Sequence, residues 1–237
     1  MRGKLIVFEG GEGSGKTTQI ARTHHWLIES GWLATLQRDG LCSELIVTRE
    51  PGGTELCREM RQILLNPKAD EPMVSRAELL LYAADRAQHV EAFLKPQLEA
   101  GALILCDRYT DSTVAYQGYG RGLDLTLIHQ LNQIATGGLV SDLTLWLKLD
   151  PEAGLARMRQ RGNADRIEQA DLDFHRRVTA GFQALAEANP DRMVAIAADQ
   201  SEPEVAHAIQ TLLTEQLCTW YPQSLPPSSV NPRQSNS

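Results

Sequence analysis

A short apolar run, Leu5-Ile6-Val7-Phe8, leads almost directly into Gly10-Gly11-Glu12-Gly13-Ser14-Gly15-Lys16-Thr17, and a helix-forming stretch, Thr17 to Ser30, follows. The eight residues fit the pattern G-x-x-x-x-G-K-[ST] in the strand–loop–helix setting that gives it meaning. Glycines let consecutive backbone N–H groups turn inward around a polyphosphate. The helix start adds the positive end of its dipole. Lys16 can reach β- and γ-phosphates, and the Thr17 hydroxyl can hold a magnesium ion. A chance glycine-rich turn and a dinucleotide fingerprint are the competing readings. Lys16-Thr17 directly after Gly15 favours a mononucleotide loop, with Gly10, Gly11, Glu12, Gly13, Ser14, Gly15, Lys16 and Thr17 binding a nucleoside triphosphate.

Downstream, apolar strands alternate with longer amphipathic helices, which implies a parallel sheet covered on both faces. Strands are predicted at Leu5–Phe8, Glu44–Thr48, Ala102–Cys106, Leu143–Leu149 and Met193–Ala197. Helices are predicted at Thr17–Ser30, Thr54–Asn66, Ser75–Ala100, Asp124–Thr136, Pro151–Arg159, Asp171–Ala188 and Glu202–Glu215. Gly101 suits the end of the long third helix, and Pro151 suits a first-turn position. The fold class is therefore α/β: a P-loop NTPase-type three-layer sandwich, a five-stranded parallel sheet flanked by helices. One domain spans 1–217. Residues 33–43 read as a loop. The tail 218–237, dominated by Pro, Ser, Asn and Gln from Pro222 onward, is expected to be disordered.

A chain of 237 residues suffices for one well-buried α/β domain. Its formal charge of −7 argues against general nucleic-acid binding. Cys42, Cys57, Cys106 and Cys218 show no C-x-x-C spacing, which suggests neither zinc nor a disulfide framework and points to a reducing cytoplasm. The five-residue apolar start is too short for a removable signal, and no stretch is long enough to span a bilayer. His24 and His25 are adjacent on a helix, point apart, and are expected at the surface.

The third strand ends in Asp107, followed by Arg108-Tyr109. An acid at the carboxyl end of a strand beside a phosphate loop can help order a magnesium shell. These segments meet at the sheet edge where open α/β folds bind ligands.

Five separated segments carry a resemblance: Gly10–Thr17; Thr48-Arg49-Glu50-Pro51-Gly52-Gly53-Thr54; Tyr82-Ala83-Ala84-Asp85-Arg86; Asp107-Arg108-Tyr109 with Tyr116-Gln117-Gly118; and Asp165-Arg166-Ile167-Glu168. Together they resemble the bacterial thymidylate kinases, from about Lys4 to the helix ending near Leu217. The resemblance implies transfer of the ATP γ-phosphoryl to dTMP, giving dTDP and ADP, by a homodimer packed through helices.

By the same resemblance, Lys16, the loop N–H groups and Mg²⁺ at Thr17 and Asp107 neutralise the donor. Arg49 and Arg108 hold the acceptor phosphate, a task that planar guanidinium forks suit. Glu12 positions the acceptor nucleotide; a purely structural reading is an acid answering the helix dipole. The loop has no arginine, so charge neutralisation at the transferring group falls to a mobile lid, which the resemblance places at about 157–170, with Arg161 and Arg166 as candidates. Arg157 and Arg159 can equally answer a helix C-terminus. Tyr82 stands where the family has a Phe stacked on thymine, and shares a helix face with Arg86, which bonds a base carbonyl. Thr113 and Gln117 resemble residues at the base edge, and Tyr116 the ring set under the sugar, disfavouring a 2′-hydroxyl. Pro51 belongs to the dTMP site, and the Glu50–Pro51 bond is expected to be cis. A pocket contact to the thymine methyl is worth only ~1–3 kcal/mol, so slow use of dUMP is expected.

Two other readings compete with this one. A kinase for another nucleoside monophosphate would share the chemistry and differ at the base. A phosphate-loop ATPase or switch protein would leave Arg49, Arg86 and Arg108 without a shared task.

Overall fold

In the computed structural model, which describes residues 2–66, 72–162 and 170–226 (the backbone only at Arg161), five parallel strands run in the order β2-β3-β1-β4-β5. They are β1 (Lys4–Glu9), β2 (Leu45–Arg49), β3 (Leu103–Asp107), β4 (Leu143–Lys148) and β5 (Met193–Ala197). All lie within a residue or two of their expected bounds. Side chains alternate across β1 and divide the core in two. Ile6 and Phe8 pack with Ile20 and Leu27 of α1 (Lys16–Glu29) and with Ile209, Leu213 and Leu217 near the carboxyl end of the chain. Leu5 and Val7 face the other way, onto Val90, Leu94 and Leu98. Both faces are thus covered, as strands this apolar require.

A seven-residue helix, α2 (Trp32–Arg38), occupies most of the stretch expected as a loop. It buries Trp32, Thr35 and Leu36, three and four residues apart, between glycines that mask so short a period. α3 (Glu55–Leu65) starts at Thr54, whose hydroxyl accepts from the Cys57 N–H. The helix expected over 75–100 is not uniform. It comprises α4 (Ser75–His89), a π-helical turn at Val90–Leu94, and α5 (Lys95–Glu99). Pro96 lacks an N–H and crowds the preceding turn, which accounts for the widening there.

A helical segment not anticipated follows β3: α6 (Thr110–Thr113) runs into a π-helical stretch, Val114–Gly120. α7 (Leu125–Thr136), α8 (Pro151–Arg161) and α9 (Leu172–Ala188) are capped by Asp124, Asp150 and Asp171 respectively. The last helix, α10 (Glu202–Trp220), passes through the tail boundary expected at 218, because Leu217 and Tyr221 are buried in the core. Order therefore continues past that boundary. Half of the segment expected as a lid, 163–169, lies outside the described residues.

Candidate active site

Strand register brings the sequence-predicted residues to one edge. Arg49 is the partner of Asp107 between β2 and β3, and Phe8 is its partner between β1 and β3. The ends of three strands thus open into a cleft of about 520 Å³ beside the loop at 10–17. Its walls include Glu12, Lys16, Thr17, Arg49, Pro51, Tyr82, Arg86, Asp107, Arg108, Thr113, Tyr116 and Gln117, drawn from five segments of sequence. Arg157 also lines it. Arg166 and the side chain of Arg161 lie outside the described residues.

The loop wraps as its glycines permit. Gly10, Gly13 and Gly15 have positive φ. Gly13 also lies against Gly154 of α8: a Cβ on Gly13 would sit 2.3 Å from the Gly154 carbonyl oxygen, and one on Gly154 2.3 Å from that of Glu12. Lys16 Nζ donates to the carbonyls of Gly10 and Gly11 at 3.0 and 3.1 Å. Burial, reinforced by nearby Arg108, pushes its pKa down.

Arg108 is the hub. Among the described residues it is the one non-glycine with positive φ, 72°. Such a conformation costs on the order of 1–3 kcal/mol and persists where surroundings enforce it. The enforcing contacts are on both backbone and side chain. Its N–H donates to the Phe8 carbonyl. Its guanidinium donates to Glu12 Oε1 at 2.6 Å and to the Gly10 carbonyl and Ser112 Oγ at 3.2 Å, and stands 4.9 Å from the centre of the Tyr116 ring. Tyr116 donates its hydroxyl to Glu12 at 2.7 Å. Burial opposes a charge on Glu12, but Arg108 and then Lys16 outweigh it and hold the pKa at about 2.

Glu9, which carried no sequence-based assignment, fixes the turn from below. Fully buried, it accepts from the N–H groups of Tyr109 and Ser112 and from Ser112 Oγ at 2.6–3.1 Å. Burial, and secondarily Asp111, raise its pKa to about 7. Its sequence signal was weak: an acid ending an apolar strand just before the loop.

Arg86 is likewise buried. Nε donates to Glu50, Nη1 to Thr113 and Asn132, and Nη2 to the Tyr109 carbonyl, all within 3.0 Å. Four of its five N–H groups are so used. Glu50 also meets His89 Nδ1 at 3.0 Å, and His89 Nε2 meets Thr48 at 2.8 Å. His89, three residues beyond Arg86 on one helix face, was legible by spacing and was passed over. Glu50 stood inside a quoted motif without a role. The Glu50–Pro51 bond is cis, as expected. Asp85 accepts from the Gly52 N–H, with its pKa raised to about 6 by burial and then by Glu50.

Asp107 tests the site's fit to a divalent cation. Its Oδ1 is buried and meets no donor among the described residues, while Oδ2 is 3.9 Å from Arg49. A free carboxylate oxygen in the cleft that Thr17 also lines suits a hard cation that takes one or two protein oxygens and completes its shell with phosphates and water. Among the described residues there is no dedicated cluster of three His, Cys, Asp or Glu side chains for a metal.

A glycine loop joining β1 to the helix behind it, at the edge of this parallel sheet, puts the chain among proteins with the P-loop NTPase fold. The family model described as thymidylate kinase matches residues 8–209. Thymidylate kinases of Cyanothece sp. and Acaryochloris marina are 63% and 55% identical, each over 94% of this chain and 98% and 100% of their own lengths. The crystal structure of thymidylate kinase from Ehrlichia chaffeensis superposes with a TM-score of 0.69 at 32% identity, covering 90% of this chain and all of that one. The chain belongs to the thymidylate kinase family and is a kinase.

Proposed function

We infer that the protein transfers the γ-phosphoryl group of ATP to dTMP, giving ADP and dTDP. The observation that carries the reading beyond family membership is the convergence of Arg49, Arg86 and Arg108 on the cleft that the phosphate loop also lines. Phosphoryl transfer needs little covalent help from the protein; alignment and charge stabilisation do most of it. The loop N–H groups and Lys16 hold the donor phosphates. Thr17 and Asp107 would hold magnesium, directly or through water, and the ion would supply positive charge against the donor phosphates. Arg108 and Arg49 grip the acceptor phosphate, with Glu12 and Tyr116 fixing the Arg108 fork. Tyr82 stacks on the base, Pro51 shapes the site, Thr113 and Gln117 meet the base edge, and the fifth N–H of Arg86 donates to a base carbonyl. Arg161 and Arg166 supply charge over the γ-phosphoryl from the lid.

The protein acts in the cytoplasm as a homodimer. Four free thiols, three of them buried, fit a reducing compartment. Leu56 and Ile63, seven residues apart on α3, and Leu80 on α4 are about half exposed and offer an apolar face to a second copy. No helix among the described residues is long and apolar enough to cross a membrane.

Purified protein with magnesium and ATP, assayed for ADP release on dTMP, dUMP, dCMP, UMP and AMP, tests the reading. Turnover fastest with dTMP is expected, with slower use of dUMP. Hydrolysis that no monophosphate accelerates would overturn it in favour of an ATPase.

A further inference from the structure

Glu78, Tyr82 and Arg86 lie four residues apart along α4 and share one face. Glu78 is 1% exposed, yet the acceptor chemistry above gives it no task. Its Oε1 accepts from Gln117 Nε2 at 2.8 Å, and its carboxylate also faces Arg121, with Nη2 3.3 Å from Oε2. Arg121 in turn stands 4.6 Å from the centre of the Phe174 ring.

A carboxylate only accepts, whereas a carboxamide has a donor end and an acceptor end. Gln117 must therefore turn its NH₂ toward Glu78 and its Oε1 away. Its backbone is pinned too, the Leu123 N–H donating to the Gln117 carbonyl. Gln117 lines the cleft, and among the described residues no donor reaches its Oε1. Reversing the amide would set two N–H donors against a base N–H and lose the bond to Glu78.

We propose that Glu78 is a specificity-determining positioning residue. By orienting Gln117, it makes Oε1 the acceptor for the N3–H of a 2,4-dioxopyrimidine. Thymine and uracil present that donor; cytosine presents a lone pair at N3 and is turned away. The inference rests on the reading of the cleft as a dTMP site. A site built to accept a hydrogen bond rejects a mismatched group far more strongly than it can reject a missing methyl.

The test is the ratio of kcat/KM for dTMP to that for dCMP. Glu78→Gln keeps the shape but can offer Gln117 either end of an amide. The ratio should fall at least tenfold, with the dTMP loss in KM rather than kcat. Glu78→Asp, still acceptor-only, should keep most of the ratio. Arg121→Gln, which removes the ion pair and the contact with the Phe174 ring but leaves the Gln117–Glu78 bond, should leave it unchanged. The double variant Glu78→Gln/Arg121→Gln leaves no unpaired guanidinium, and should show the same fall if the single variant does not fold. An unchanged ratio in the Glu78→Gln background, or an equal fall in Arg121→Gln, overturns the proposal. Wild-type protein that does not prefer dTMP over dCMP overturns the dTMP reading instead.

Discussion

Glu12 Oε1 and Arg108 Nη2 are 2.6 Å apart, so the phosphate loop itself grips the arginine that projects from the end of β3. Two segments almost a hundred residues apart in sequence are thereby set to a fixed spacing, which suits a reaction that needs two phosphates in line. Removing one partner of a largely desolvated charge pair costs about 2–5 kcal/mol. Glu12→Gln should lower kcat/KM for dTMP by roughly 30-fold or more. Steady-state kinetics at saturating ATP checks this. Wild-type values would show that Arg108 holds its place without the loop.

The same pair sets an acid limit on stability. Glu12 titrates at about 2 instead of its ordinary 4.5, so its contribution is present above 4.5 and disappears as pH falls through 2. Glu9 behaves oppositely. Its folded pKa is raised from 4.5 to about 7, so its contribution is complete below 4.5 and vanishes as pH rises through 7. Asp85, raised to about 6, adds to that trend. The melting temperature should drop between pH 5 and 8, and Glu9→Gln should flatten the drop. Calorimetry across that range is the check. An equally steep drop in the variant would remove Glu9 from the explanation.

Gly53 sits where a Cβ would lie 2.3 Å from the His89 ring. Gly53→Ala should push His89 off Glu50 and destabilise by about 1–3 kcal/mol, an overpacking effect. A fall in melting temperature of roughly 2–4 °C per kcal/mol is expected. The KM for dTMP should rise with it, because Glu50 also holds Arg86. A lower melting temperature with an unaltered KM would separate the two.

Arg161→Ala and Arg166→Ala, made singly, should separate the lid candidates. The one that meets the transferring group should lose about 10³-fold in kcat. Neither changing turnover would place the charge elsewhere, with Arg157, which lines the cleft, the next to replace.

The phosphate loop, all five strands and most helices could be read from local pattern, because glycine chemistry and apolar periodicity are written in contiguous residues. α2 escaped because seven residues hold only two apolar periods. The site was legible as a set of residue types but not as a network. That Glu9 would accept three hydrogen bonds, or that Arg108 would take a left-handed φ, depends on the β1–β3 register, which sequence spacing does not reveal. Gln117 was placed at the base edge, but the residue orienting it lies 39 positions away on another helix.

Gly13 and Gly154 touch backbone to backbone, with no side chain between them to absorb a displacement. From that contact at Gly154, α8 runs on to Arg161, about 11 Å of helix. A 5° tilt about that contact swings the far end by roughly 0.9 Å. The smallest residue in the code, used twice at one crossing, thus couples the backbone of the loop at 10–17 directly to the helix that ends at Arg161.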